Sequence, residues 1–181
     1  MNAPPLALTA PLAAAGLNHM GVVSVADYDA IASPCLQSQQ LAPGSRSVMV
    51  FASGGASLWG ALLADLALHP CHLTDEAHPL DAFVRRTVES VSGVLDAASP
   101  RWFFAAADAQ VHLDFRTLAV AAGLGASSRL GLVIHPRWGP WMGLRAACFS
   151  TLDLTPNRPL DSVCEGCPAP CASTCPGKAF P

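Results

Sequence analysis

Charge is scarce in this sequence of 181 residues, and lysine is nearly absent from it. Charged residues make up 13% of the chain, and nine of its ten cationic side chains are arginines scattered between Arg46 and Arg158. Because no cationic run could follow a phosphate backbone, autonomous binding of nucleic acid is not expected. Disorder is excluded as well, since 51% of the residues are hydrophobic and such a chain buries enough apolar surface to fold.

The sequence also lacks a long apolar run and a basic N-terminal segment. No stretch reaches the roughly 18 consecutive apolar residues of a membrane span, so none is expected. The first 20 residues contain neither lysine nor arginine, whereas a secretory signal begins with basic residues. We therefore expect a cytoplasmic protein with reduced cysteines. Their odd number, seven, agrees with that expectation, because a disulfide framework uses cysteines in pairs.

The hydrophobic pattern predicts an α/β fold with one main domain. Helices are predicted over residues 6–17, 57–68, 79–95 and 115–122, strands over residues 20–25, 47–51, 102–107 and 130–135, and a further apolar run covers residues 146–154. A turn-rich stretch at residues 155–159 then precedes the cysteine-rich end. We accordingly predict a cofactor-binding α/β domain over residues 1–160 and a separate cysteine segment over residues 161–181.

Four of the seven cysteines lie within twelve residues near the C-terminus. Cys164, Cys167, Cys171 and Cys175 form the pattern C-x2-C-x3-C-x3-C-P. Closely spaced thiolates in a loop interrupted by proline and glycine can wrap a compact inorganic core, and bacterial iron–sulfur sites use the related pattern C-x2-C-x2-C-x3-C-P. The segment is therefore predicted to bind an iron–sulfur cluster. Zinc on the same thiolates is the alternative, although zinc ribbons usually split their cysteines into two distant pairs.

The fourth ligand of such a site stays open at this point. Cys175 can close the site with the other three cysteines of the run. A distant cysteine can do so instead, and Cys148 is the nearest in sequence. Cys148 lies in an apolar run, which favours a buried side chain over a ligand.

Two glycine-containing loops are the best candidates for the wall of a cofactor site. Residues 122–129 and 136–143 follow regular elements, and they combine glycines, which let a flat ring approach the backbone, with tryptophans, which can cover an apolar face. The candidate binding residues are Gly123, Gly125, Ser127, Arg129, Trp138, Gly139 and Trp141. Ordinary turns with core tryptophans would contain the same residues, so both interpretations stay open.

The order of these features resembles that of epoxyqueuosine reductases and their cobalamin-dependent relatives. The resemblance rests on residues 118–126 and 130–135, the Gly/Pro/aromatic turn that follows and the cysteine run ending in Cys-Pro, with a weaker similarity over residues 41–50. It implies a nitroreductase-like α/β domain, with a mixed sheet flanked by helices, that holds a corrinoid. It also implies a small ferredoxin-like module that passes electrons to the corrinoid. The expected partners are then an electron donor of the ferredoxin or flavodoxin type and a small-molecule substrate.

The resemblance further assigns a catalytic acid and a second cluster. The family's Asp-Ser-Ala-Pro-type segment falls at Asp108, which matches its acid. His112 and Asp114 follow within the same seven residues, and Asp114 can instead cap a helix that begins at Phe115. The family carries two cysteine runs for two [4Fe-4S] clusters, whereas this sequence has one, so its module is a shortened one.

These observations predict an iron–sulfur oxidoreductase. A [4Fe-4S] cluster would relay electrons to a corrinoid, or to a flavin, for the reduction of a small molecule. A non-catalytic protein that carries a corrinoid or a cluster for a partner is one alternative. A structural domain stabilised by zinc is the other, in which the metal adds folding free energy and no chemistry.

Overall fold

A four-stranded sheet forms the centre of the computed structural model, which describes residues 3–106 and 111–179. The strands are β1 (His19–Ser24), β2 (Ser47–Gly54), β3 (Arg101–Phe104), β4 (Ala126–Ser127), β5 (Val133–Ile134) and β6 (Met142–Ser150). The main sheet has the order β1-β2-β6-β3, and β4 pairs with β5 in a separate small sheet. Each of these pairings is antiparallel. The predicted α/β fold is thus confirmed, with antiparallel pairings where a mixed sheet was expected.

Helices cover both faces of the main sheet. The helices of the described chain are α1 (Leu6–Ala14), α2 (Val25–Ile31), α3 (Ser38–Leu41), α4 (Ser57–Leu68), α5 (Cys71–Thr74), α6 (Pro79–Ser92), α7 (Phe115–Ala121) and α8 (Pro170–Ser173), with 3₁₀ turns at Pro34–Leu36 and Gly93–Ala98. Buried residues of α1, α4 and α6 form one core cluster, and those of α2 and α7 form a second. None of the described helices is long and apolar enough to cross a membrane.

Strand β2 lies between the two clusters and is buried along its whole length. Met49 and Phe51 belong to the cluster under α1, α4 and α6, whereas Val48 and Val50 belong to the cluster under α2 and α7. Successive side chains of a strand point to opposite faces, so a strand covered on both sides is apolar along its covered middle part, here residues 48–52. This requirement explains the uninterrupted apolar run that predicted the strand.

The predicted strand over residues 130–135 is wrong in its first half. Ser128 begins a tight turn, in which the Gly131 N–H donates to the Ser128 carbonyl at 3.0 Å and the Ser128 hydroxyl donates to the Leu132 carbonyl at 2.9 Å. Gly131 has a φ of +70°, which glycine adopts without strain. The first apolar residues of this run therefore lie in the β4–β5 turn, and of residues 130–135 Val133–Ile134 form the strand β5.

Other boundaries shift by a few residues. The helix predicted to reach residue 95 ends at Ser92 and continues as the 3₁₀ turn Gly93–Ala98, which keeps Leu95 in the core. The strand predicted over residues 102–107 is β3, whose pairing with β6 runs from Arg101 to Phe104.

The turn-rich stretch at residues 155–159 lies against the edge strand β1. The Val22 N–H donates to Asn157 Oδ1 at 2.8 Å, and the Asn157 N–H donates to the Val22 carbonyl at 2.9 Å. Gly123, with a φ of +66°, packs against the Arg158 carbonyl, where a Cβ would collide with that oxygen. The chain therefore leaves the main sheet along a fixed path before it reaches the cysteines.

Gly21→Ala should destabilise the fold, because a Cβ at this buried position of β1 would collide with the Ala122 carbonyl at the end of α7. We expect a loss of about 1–3 kcal/mol in the free energy of unfolding, the usual cost of overpacking. Gly60→Ala is the matched control, since Gly60 lies within α4 and nothing lies within 4 Å of the position that a Cβ would occupy there. Alanine there should stabilise by up to about 1 kcal/mol. Urea unfolding measures both, and equal stabilities for the two variants would contradict this account.

Candidate functional site

The four clustered cysteines lie in a segment of turns and one short helix. Cys164 and Cys167 bracket a turn, in which the Cys167 N–H donates to the Cys164 carbonyl at 3.3 Å and Gly166 has a φ of +71°. Cys171 lies in α8, and Cys175 follows that helix. The side chain of Cys167 is exposed, the other three are half-buried, and all four are free thiols.

Backbone amides donate to two of these sulfurs. The Arg129 N–H donates to Cys164 Sγ at 3.3 Å, and the Ala179 N–H donates to Cys175 Sγ at 3.5 Å. Hydrogen bonds to ligand sulfurs are one means by which proteins set the reduction potential of an iron–sulfur cluster. The first bond also fixes the cysteine segment to the loop after β4, within the stretch predicted to bind a cofactor.

The donor set fits an iron–sulfur cluster by its chemistry. Four free thiols within twelve residues match the type and number of donors that an all-thiolate [4Fe-4S] cluster needs. Among the described residues, no three His, Cys, Asp or Glu side chains are grouped as a metal site. The structure therefore gathers the four cysteines in one segment, but it does not arrange their sulfurs around a common centre.

Cys148 is separated from this segment by its burial. Its side chain is fully buried on β6, and the thiol donates to the Phe149 carbonyl at 3.6 Å. Burial raises the pKa of Cys148 to about 12. A cysteine binds a metal as the thiolate, so this buried thiol is poorly suited to be a ligand and behaves as a small core residue.

The glycines of the first candidate loop pack against neighbouring chain. Gly123 contacts Arg158 as described above, and a Cβ at Gly125 would lie 2.6 Å from Val133 Cγ1. Ser127 is on β4, where it lines a cleft of about 300 Å³ between α7 and the β4–β5 turn. These two glycines thus allow close packing between segments. Ser127 lines the open cleft, and Arg129 contacts the Cys164 sulfur through its backbone N–H.

The two tryptophans of the second candidate loop lie in different environments. Trp138 is half-buried over Gly54 and Gly55, where a Cβ on either glycine would collide with its ring. Trp141 is 83% exposed. Gly139, with a φ of +56°, bridges back to His135 through bonds of 2.8 and 2.9 Å. The loop therefore anchors one indole on the end of β2 and leaves the other open to a ligand.

Two histidines that the sequence did not single out complete this anchor. The Trp138 indole N–H donates to His19 Nε2 at 2.7 Å, and His135 Nδ1 accepts from the Arg137 and Trp138 N–H groups at 3.1 and 3.2 Å. The two imidazole rings are 4.6 Å apart. An indole nitrogen only donates, so His19 Nε2 carries no proton in this arrangement.

Electrostatics keep both imidazoles neutral. Burial and, to a smaller extent, the Arg137 guanidinium lower the pKa of His19. Burial also lowers the pKa of His135, with contributions from His19 and Arg137. No local pattern could have revealed the pair, because His19 begins β1 and His135 follows β5, and only the tertiary fold brings them together.

The acidic candidates have separate outcomes. Asp108 lies outside the described residues. His112 is exposed. Asp114 caps α7, as the capping interpretation predicted: its Oδ1 accepts from the Arg116 and Thr117 N–H groups at 3.1 and 3.2 Å, and its Oδ2 accepts from the Thr117 hydroxyl at 2.7 Å. The hydroxyl bond and the backbone bonds lower the pKa of Asp114, which makes it a poor proton donor.

Comparisons with known proteins point in one direction. No protein-family model matches the chain. A stretch of 66 residues is 43% identical to tetrachloroethene reductive dehalogenase of Sulfurospirillum multivorans and covers 34% of this chain and 13% of that protein. A stretch of 96 residues is 30% identical to epoxyqueuosine reductase of Lactococcus garvieae and covers 53% of this chain and 26% of that protein.

Solved structures extend the similarity to almost the whole chain. Epoxyqueuosine reductase from Streptococcus thermophilus superposes with a TM-score of 0.64 at 14% identity, over 97% of this chain and 53% of that one. The chain has the fold of epoxyqueuosine reductases. It also matches a B12-dependent reductive dehalogenase, with a TM-score of 0.53 at 19% identity over 90% of this chain and 22% of that one. A B12-trafficking protein of C. elegans matches with a TM-score of 0.58 at 10% identity, over 82% and 71% of the two chains.

The predicted resemblance to epoxyqueuosine reductases is therefore confirmed in fold, and short sequence matches link the chain to related reductases. The chain spans about half the length of the S. thermophilus epoxyqueuosine reductase structure. One further solved epoxyqueuosine reductase, with a TM-score of 0.56 at 13% identity over 84% of this chain and 46% of that one, is in complex with a tRNA stem loop.

Acidification should weaken this epoxyqueuosine reductase fold through the His19–His135 pair. Both pKa values are lowered in the folded state, whereas histidines of the unfolded chain titrate at about 6.5. The unfolded state then binds more protons, so the free energy of unfolding falls as the pH drops from 7 towards 5. His19→Gln keeps an acceptor for Trp138 but does not titrate, and it should flatten this slope.

Urea unfolding at a series of pH values between 5 and 8 measures the effect. His112→Gln is the control, because His112 is exposed and lies apart from the pair in sequence. A pH slope that is unchanged in His19→Gln would contradict the assignment of neutral imidazoles.

Thiol reactivity should separate Cys148 from the remaining cysteines. In the native metal-free protein, Ellman's reagent should modify six of the seven thiols quickly, because Cys148 is the one that the structure buries. Cys148→Ala should leave that fast count unchanged, whereas Cys35→Ala should lower it by one. Fast reaction of all seven thiols would show that Cys148 is accessible.

Proposed function

We propose that the chain is an iron–sulfur oxidoreductase in which a [4Fe-4S] cluster on the C-terminal cysteines supplies electrons to a corrinoid in the α/β domain. Cys164, Cys167, Cys171 and Cys175 would hold the cluster. The reaction would be the reduction of a small molecule. An electron donor of the ferredoxin or flavodoxin type would reload the cluster.

The observation that carries this proposal is the hydrogen bond from the Arg129 N–H to Cys164 Sγ. It joins the first cysteine of the run directly to the loop after β4. An electron carrier must lie close to the group that it reduces, and here one ligand contacts the predicted cofactor wall. The Asn157 pair on β1 supports the same placement, since it fixes the chain that leads to the cysteines.

The corrinoid is supported by the open part of the second loop. Trp141 is 83% exposed, and nothing lies within 4 Å of the position that a Cβ on Gly139 would occupy. A flat macrocycle could therefore approach the backbone at Gly139 and stack on Trp141. The B12-dependent dehalogenase and the B12-trafficking protein that share the fold support the same cofactor. When bound, a corrinoid supplies a metal centre that takes up electrons singly.

The chain's own residues would then hold the loop and move a proton. Trp138, anchored on His19 and over Gly54, fixes the base of the loop while Trp141 stays available. Reductive chemistry on a carbon centre needs a proton donor, and Asp108 is proposed for that role from its position in the sequence. Asp114 is unsuited to it, since it is committed to capping α7.

Anaerobic reconstitution with iron and sulfide tests the cluster. We expect about four iron and four sulfide per chain, as in a [4Fe-4S] cluster. Cys167→Ala should lose the visible absorbance, whereas Cys35→Ala should keep it. In the loaded protein Ellman's reagent should react quickly with only Cys35 and Cys71, because the cluster protects the run. Zinc in place of iron would favour the structural alternative, and an unchanged spectrum in Cys167→Ala would overturn the ligand assignment.

A separate titration tests the corrinoid. Hydroxocobalamin added to the protein should give a saturable change in its absorbance, and Trp141→Ala should weaken that binding. Trp59→Ala is a matched control, because Trp59 is also exposed but lies on α4. Equal binding by the two variants would exclude the loop of residues 136–143 as the site.

A tRNA substrate is the second candidate, and the tRNA stem loop bound by one solved relative is the observation that favours it. The arginines of this sequence are scattered and form no cationic run, which argues against tRNA as the substrate. A filter-binding measurement with a tRNA anticodon stem loop distinguishes the two, since a small-molecule reductase should show no saturable binding at physiological salt.

A further inference from the structure

An arginine with unpaired donors lies in a small cleft between α6, the end of β3 and β6. The cleft measures about 20 Å³ and is lined by Asp81, Val84, Phe104, Ala105, Ala106, Leu144 and Arg145. Most of these side chains are apolar. Arg145 is half-buried, and it is the one cation among the lining residues.

The Arg145 side chain is held in place from one side. Its Nε–H donates to the Ser53 hydroxyl at 3.0 Å, and Ser53 is itself buried on β2. The guanidinium lies across Gly143, where any side chain would collide with it. The arginine is thus positioned by the sheet before any ligand arrives.

The outer edge of the guanidinium has no partner in the described part of the chain. Ser53 takes only the Nε–H, and neither Nη group of Arg145 makes a hydrogen bond or an ion pair with a described residue. The Asp81 carboxylate is near enough to raise the pKa of Arg145, against the lowering effect of burial, but it does not reach ion-pair distance. A partly desolvated cation without a counterion is costly, and this cost is recovered when an anion binds.

We propose that Arg145 binds the carboxylate group of a small-molecule ligand in this cleft. The planar guanidinium offers parallel N–H donors that match the two oxygens of a carboxylate. A single water needs roughly 10–15 Å³ of such space, so a cleft of about 20 Å³ takes little more than one oxygen, and the rest of the ligand would lie outside the cleft. The apolar walls strengthen the bond by excluding water. This inference needs neither the cluster nor the corrinoid.

Acetate is the probe, and the Arg145 Nε–H signal in ¹H–¹⁵N NMR spectra is the readout. Adding acetate should shift that signal in a saturable way, whereas acetamide, its neutral isostere, should not. Phosphate should bind more weakly than acetate. The Arg145 signal is identified by its loss in Arg145→Lys.

Three variants sharpen the test, with binding followed by the backbone amide signals of the cleft. Arg145→Gln should weaken acetate binding roughly tenfold or more, because the charged fork is removed. Arg145→Lys keeps the positive charge but lacks the parallel N–H donors of the guanidinium, so it should bind acetate with intermediate affinity. It replaces the glutamine variant in the test if that variant fails to fold. Asp81→Asn should tighten acetate binding severalfold, since it removes the negative charge of a residue that lines the cleft. Arg101→Gln is the control, because Arg101 is an exposed arginine stacked on Phe103.

The proposal is overturned if acetate gives no saturable shift, if acetamide gives the same shift, or if Arg145→Gln binds acetate as the unchanged protein does. Tighter binding of phosphate than of acetate would overturn the assignment to carboxylates. A failure of cluster or corrinoid loading leaves these outcomes unaffected, so the two proposals fail separately.

Discussion

The burial of β2 on both faces is the constraint on which the rest of the structure depends. The middle of a strand that helices cover on both sides must be apolar, and its two neighbours must satisfy its backbone groups. Those neighbours, β1 and β6, carry the side chains of interest at their ends. His19 is the first residue of β1, and it accepts a hydrogen bond from Trp138, which packs on the end of β2. Arg145 lies near the start of β6 and donates to Ser53 of β2. One buried strand thus positions two chemically different sites.

The position of the cysteine segment follows from the outer edge of the same sheet. Strand β1 has β2 on one side only, so its other edge has free backbone groups, and Asn157 pairs with both groups of Val22 there. The path continues to Cys164, whose sulfur accepts from the Arg129 amide. The segment is therefore attached by backbone hydrogen bonds rather than by an apolar core. Such an attachment holds the segment against the loop after β4 and leaves Cys167 exposed and the other three cysteines of the run half-buried.

Sequence reasoning succeeded where one local rule decides the outcome. The helical spacing of apolar residues predicted α6, and Asp114 was correctly considered as the cap of α7. It failed at residues 130–132, where an apolar run forms a turn because Ser128 and Gly131 supply the turn hydrogen bonds. Hydrophobicity alone does not distinguish an exposed apolar turn from a strand. The His19–His135 pair and the Arg145 cleft were out of reach, because each needs the register of strands that are distant in sequence.

The scarcity of charge in this chain gives the unpaired arginine its significance. Two other arginines of the described chain form ion pairs with carboxylates: Arg46 pairs with Asp153 at 2.7 Å, and Arg86 with Asp65 and Glu76 at 3.1 and 2.8 Å. Arg145 is more deeply placed than Arg46, yet its fixed partner is a neutral hydroxyl. A half-buried cation without a counterion destabilises the fold, because the charge has lost part of its hydration without compensation. An anionic ligand that binds beside the apolar cleft would supply that missing counterion.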